Sequence, residues 1–121
     1  MAAPRIAVVT GGNKGIGFEI CRQLARRGVN VVLTARSPRR GTQAARTLQR
    51  EGLNVIFHAL DVTAPEQIRA LARYMETAHG RCDVLVNNAG IALDRYSISV
   101  LDTPLRLFQD TLDTNFYGPL R

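Results

Sequence analysis

The spacing of apolar positions along this chain changes repeatedly. Short runs that are apolar at every position alternate with longer stretches in which apolar residues recur every three or four. Arg5-Ile6-Ala7-Val8-Val9-Thr10 is the first run; it is continuous rather than alternating, which predicts a strand buried on both faces. Gly15 to Arg27 has helical spacing, with Ile16, Ile20 and Leu24 four apart, Cys21 alongside and Gly28 as the stop. Asn30 to Thr34 predicts a second strand. Pro38 to Glu51 predicts a polar helix with a thin stripe of Ala44, Ala45 and Leu48, stopped by Gly52. Leu53 to Leu60 is a third strand. Thr63 as N-cap and Pro65 in the first turn open a third helix, whose face is Ile68, Leu71, Ala72 and Met75. Asp83 to Asn87 is a fourth strand, Asn88-Ala89-Gly90 a turn, and Ile91 to Thr103 a loop or partial helix. Leu105 to Arg121 reads as helical at first, with Leu105, Phe108 and Leu112 at helical spacing. Strands alternating with helices predict an α/β fold with a doubly wound parallel sheet. Right-handed crossovers give the order 3-2-1-4 and a ligand crevice at the carboxyl ends of the first and fourth strands.

The bulk properties narrow the choice of chemistry. With 121 residues, one domain is expected and two are not. No apolar run approaches the roughly 20 residues that span a bilayer. The first five residues lack a signal-peptide layout, so the expected location is cytoplasmic. Cys21 and Cys82 lie far apart without CxxC partners, which predicts reduced thiols. The net charge of +6 comes almost wholly from arginine, and Lys14 is the only lysine. The arginines are scattered, without runs or interleaved aromatics, so solvated surface charge is expected and nucleic acid is not.

Four segments carry candidate chemistry. Thr10-Gly11-Gly12-Asn13-Lys14-Gly15-Ile16-Gly17 stands between a strand and a helix, as a phosphate-cradling turn requires. Glycines let a pyrophosphate approach the backbone, and the helix start offers N–H groups and partial positive charge; the plain alternative is a Gly-rich turn. Thr34-Ala35-Arg36 ends the second strand where an NAD site usually places Asp or Glu for the ribose 2′-OH. No acidic residue occurs from Val29 to Arg50, and Arg36 with Lys14 suits a 2′-phosphate. Two solvated basic residues are the other reading. Asp61-Val62 closes the third strand, where a carboxylate can accept from adenine's amine or simply form a cap or turn. Asn87-Asn88-Ala89-Gly90 closes the fourth strand; asparagine there can tie strand ends and Ala89 and Gly90 leave room for a ribose, though alone it reads as a turn.

Together these segments resemble the short-chain dehydrogenase/reductase family over essentially the whole chain. TGGNKGIG matches that family's TGxxxGxG loop, Asp61-Val62 its adenine site, and Asn87 to Gly90 its NNAG segment. The Asn13-Lys14 pair and the run Val31 to Arg36 are most similar to the NADPH-dependent carbonyl reductases. The resemblance implies a Rossmann-type fold and NADP(H), held by Gly11, Asn13, Lys14, Gly15, Ile16, Gly17, Arg36, Asp61, Val62, Asn87, Ala89 and Gly90. It also implies a small-molecule carbonyl substrate and a catalytic role for Asn115, which would kink its helix and hold a water in the proton relay. The family's serine and Tyr-x-x-x-Lys set does not occur: Tyr74, Tyr96 and Tyr117 are followed four residues on by Ala78, Val100 and Arg121. The chain is therefore expected to be the N-terminal half of an enzyme, with a sheet cut after about four strands and Val84 to Val86 left as a bare edge.

Overall fold

The computed structural model describes residues 4–88 and the backbone of 97–100. Among them the elements run β1 (Ile6–Val9), α1 (Gly15–Arg26), β2 (Asn30–Ala35), α2 (Pro38–Arg50), β3 (Val55–Ala59), α3 (Pro65–Ala78), β4 (Val84–Asn87) and β5 (Ser97–Val100). They build one sheet in the order β3-β2-β1-β4-β5. The first four strands are parallel, with Val8 opposite Val32 on one side and Leu85 on the other, and Leu33 opposite Phe57. This is the expected 3-2-1-4 winding.

β1 is central because every one of its residues is apolar and buried. Ile6 and Val8 pack with Ile68, Leu71 and Met75 of α3 on one face. Ala7 and Val9 pack on the other with Cys21 and Ala25 of α1 and Leu48 of α2. The helices thus divide between the faces, and the winding reverses between β1 and β4.

Three expectations are corrected. The core face of α1 is not the Ile16-Ile20-Leu24 row but Gly17, Cys21 and Ala25. Small residues let the helix lie close to the sheet; a Cβ on Gly12 would already meet Cys21 Sγ at 3.0 Å. Ile20 and Leu24 pack half-buried at the flank, while Ile16 is 52% exposed. The N-cap of α3 is Ala64, not Thr63, whose hydroxyl goes to Asp61 instead. Finally, Ser97–Val100 is a strand within the segment expected to be loop or partial helix, antiparallel to β4 with Leu85 opposite Ser99. The edge of β4 is therefore paired, and the aggregation liability of a bare edge does not attach to it. Ser-Ile-Ser-Val does alternate polar and apolar residues, but four residues of period two are too few to stand out from their surroundings.

α1 and α2 are joined across the surface. Arg22 donates to both oxygens of Glu51, at 3.0 Å from Nε and 2.8 Å from Nη2, and its guanidinium lies 4.9 Å over the Phe18 ring. Cys21 and Cys82 are free and buried; burial pushes both thiols up to about 12, so they stay protonated and unreactive. Among the described residues no helix is long and apolar enough to cross a membrane.

Candidate functional site

Four parallel strands deliver their carboxyl ends to one edge of the sheet, and the expected site residues from Gly11 to Asn87 gather there because each follows or closes a strand. The loop after β1 is fastened on both sides. Gly12 N–H donates to Thr34 O (2.9 Å), and Thr34 Oγ1 donates to Val9 O (3.0 Å), which ties it to β2. Thr10 N–H donates to Val86 O (3.0 Å), and Thr10 Oγ1 accepts from Asn88 N–H (2.8 Å). Asn88 Nδ2 then reaches Gly11 O at 3.2 Å. Gly11 and Gly15 sit at φ 63° and 60°, where a side chain would strain the backbone. Gly17 is required for contact: a Cβ there would fall 2.3 Å from Gly11 O and 2.5 Å from Asn88 Nδ2.

This fastening presents the start of α1 with its donors open. Lys14 is the N-cap, but among the described residues no side chain caps the helix, and its first turn holds no acid. The N–H groups of Gly15, Ile16 and Gly17 have no acceptor among the described residues. By contrast, α2 is capped by Ser37 Oγ, which accepts from Arg40 N–H at 3.2 Å. An open helix start of this kind attracts an anion through both its N–H groups and its dipole. Exposed Ile16 beside it offers an apolar surface to a flat ring.

Cations flank this position. An open groove of about 420 Å³ between α1 and α2 is lined by Asn13, Lys14, Phe18 and Arg40, among others. Arg36, exposed just past β2, is not part of that lining; its charge acts instead on Asp61. Asp61 forms a turn, with Oδ1 accepting from Thr63 N–H (2.9 Å) and Thr63 Oγ1 (2.6 Å). Those bonds, Thr63 hydroxyl first, hold its carboxyl below the ordinary value, and Arg36 lowers it further. Asn87 is buried at the end of β4, beside the Asn88 tie. Ala89, Gly90 and Asn115 lie outside the described residues.

Sequence reasoning held Thr10, Gly12, Thr34 and Asn88 inside its motifs without reading their roles, and it missed Arg40. The first four work through backbone ties between strands distant in sequence, which no local pattern reveals. Arg40 was legible only as one of several arginines until α2 was placed beside the loop. Among the described residues no cluster of metal-binding side chains occurs.

Comparison with known proteins agrees with this geometry. The family model for short chain dehydrogenase matches residues 5–121. A (+)-neomenthol dehydrogenase of Arabidopsis thaliana is 42% identical over 98% of this chain and 46% of its own length. Carbonyl reductase (NADPH) 1 of Rattus norvegicus is 48% identical over 93% of this chain and 40% of its own. A solved short-chain oxidoreductase of metagenomic origin, in complex with NADP, is similar with a TM-score of 0.68 at 45% identity, covering 72% of this chain and 39% of that one. The chain spans less than half the length of the curated relatives it matches.

Proposed function

The chain belongs to the short-chain dehydrogenase/reductase family, and on that footing we propose that it is the dinucleotide-binding part of a cytoplasmic NADP(H)-dependent reductase of ketone, aldehyde or quinone carbonyls. One observation carries the reading: α1 begins uncapped, free of acid and flanked by Lys14 and Arg40, while Arg36 stands where an NAD site would place an acid. A nicotinamide dinucleotide, when bound, would supply hydride for reduction of a carbonyl carbon. The chain's own residues do the holding. N–H groups of Gly15 to Gly17 take the pyrophosphate, and Gly11, Asn13 and Gly17 keep the approach clear. Lys14 and Arg40 beside the groove and Arg36 past β2 would supply positive charge to the 2′-phosphate. Asp61 Oδ2 and Val62 N–H meet adenine. Asn87 would border the nicotinamide ribose and Ile16 its ring, with Ala89 and Gly90 assigned to the ribose by family resemblance alone. Asn115, by family resemblance, holds the relay water.

The serine and Tyr-x-x-x-Lys set does not occur in these 121 residues. This chain alone is expected to bind NADPH more tightly than NADH in a fluorescence titration and to show negligible turnover. A version extended through such a segment should reduce carbonyls. An extended protein that binds NADPH yet reduces none would sink the enzyme reading and leave the alternative, a non-catalytic dinucleotide-binding module.

A further inference from the structure

Asp61 is the first residue past the last rung between β2 and β3, where Leu60 N–H meets Ala35 O at 3.0 Å. Its own N–H therefore has no neighbouring strand to bond. The acceptor comes from six residues ahead: Gln67 Oε1, in the first turn of α3, takes the Asp61 N–H at 2.7 Å. This is not an ordinary capping box, in which a Gln at the third helical position reaches back to the N-cap N–H. The N-cap is Ala64, and its N–H is already bonded to Asp61 O at 2.9 Å. With Thr63 occupying Oδ1 twice, Asp61 is fixed at its N–H, its carbonyl and one carboxylate oxygen. At this turn, among the described residues, Asp61 Oδ2 and the Val62 N–H have no partner. An acceptor beside a donor complements an edge bearing an amine next to a bare ring nitrogen. It opposes an edge bearing a carbonyl next to a ring N–H, which would leave acceptor against acceptor and donor against donor.

We propose that Gln67 is the positioning residue of this subsite: by accepting the Asp61 N–H it fixes the aim of Asp61 Oδ2 and Val62 N–H, and so makes the protein select a 6-amino over a 6-oxo purine in its dinucleotide. The inference rests on the dinucleotide reading above. Gln67 touches no ligand; it acts through the turn. Thr63 assists by keeping the carboxylate ionised, so that Asp61 remains an acceptor.

The test is the ratio of two affinities, for NADPH and for reduced nicotinamide hypoxanthine dinucleotide phosphate, measured by fluorescence titration of the purified chain. Wild type should favour the 6-amino form. Gln67→Leu removes the acceptor and should reduce that preference about five- to tenfold, the scale of one misaligned hydrogen bond. Gln67→Glu keeps an oxygen at the same place and should retain the preference. A merely structural role would lower the thermal midpoint and weaken both ligands alike; an unchanged ratio in Gln67→Leu, or a collapsed ratio in Gln67→Glu, overturns the assignment while leaving the cofactor reading intact. Wild type that binds neither ligand overturns both.

Discussion

Arg36 follows the last residue of β2 and stands exposed, so its guanidinium keeps its full reach and charge. Its fork suits a phosphate, and nothing acidic from Val29 to Arg50 competes for it. Arg36→Asp should weaken NADPH binding by about 1.5–3 kcal/mol, the range for a hydrogen bond to a charged group, and NADH binding much less. Isothermal titration with both cofactors checks this; equal losses would remove Arg36 from the 2′-phosphate. Gly17 is bound by geometry rather than charge. In a helix, Gly to Ala ordinarily gains about 0.5–1 kcal/mol. Here the added Cβ would stand 2.3 Å from the Gly11 carbonyl, and backbone cannot swing aside as a side chain can. Gly17→Ala should therefore destabilise the chain by about 1–3 kcal/mol and abolish cofactor binding, read by urea unfolding and titration. That a glycine stands at this position is plain in the sequence. That it must be glycine because Gly11 O and Asn88 lie against it is a fact of packing.

At the scale of elements, the sequence placed the helices and parallel strands to within a few residues, because a shift from period 3.6 to continuous apolar runs is a strong local signal. It misjudged orientation where small residues do the packing. The eye follows isoleucine and leucine, yet α1 seats itself through Gly17, Cys21 and Ala25; α2 buries its expected Ala44, Ala45 and Leu48, with Gly41 making room for the Phe57 ring. It also missed β5, a strand created by pairing with β4 more than by its own four residues. The Arg22–Glu51 link between α1 and α2 gives an element-scale prediction. The Arg22 hydrogen bond holds the Glu51 carboxyl below its ordinary value of 4.5 in the folded chain. A lowered folded-state value means that the contribution to stability is present above pH 4.5 and is lost as pH falls through the folded-state value. The thermal midpoint should fall over that acid range, and Glu51→Gln should flatten that part of the curve. An unchanged slope would show the pair to be worth nothing, as exposed pairs often are.

At the scale of the whole molecule, the two faces of the sheet are covered differently, α1 and α2 on one and α3 on the other, and the reversal between them opens the crevice. A ligand that binds only this folded arrangement stabilises it. NADPH at about 100 times its Kd should raise the unfolding free energy by about 2.7 kcal/mol. At the same concentration NADH should raise it less, and no carbonyl should be consumed. Thermal scans with each cofactor and a turnover assay on the same sample check all three; equal stabilisation would count against selection by the 2′-phosphate. By itself the sequence determined the order of elements, the glycine loop and the lack of an acid after β2, because each is written in residue identity and local spacing. Only the tertiary structure decided which donors stay open. Thr10, Thr34 and Asn88 fasten the loop to two strands, Ser37 caps α2 while no side chain among the described residues caps α1, and Gln67 closes the turn at Asp61. Hydrogen bonds between residues up to 78 positions apart leave no trace in local pattern, since either partner alone is an ordinary polar residue.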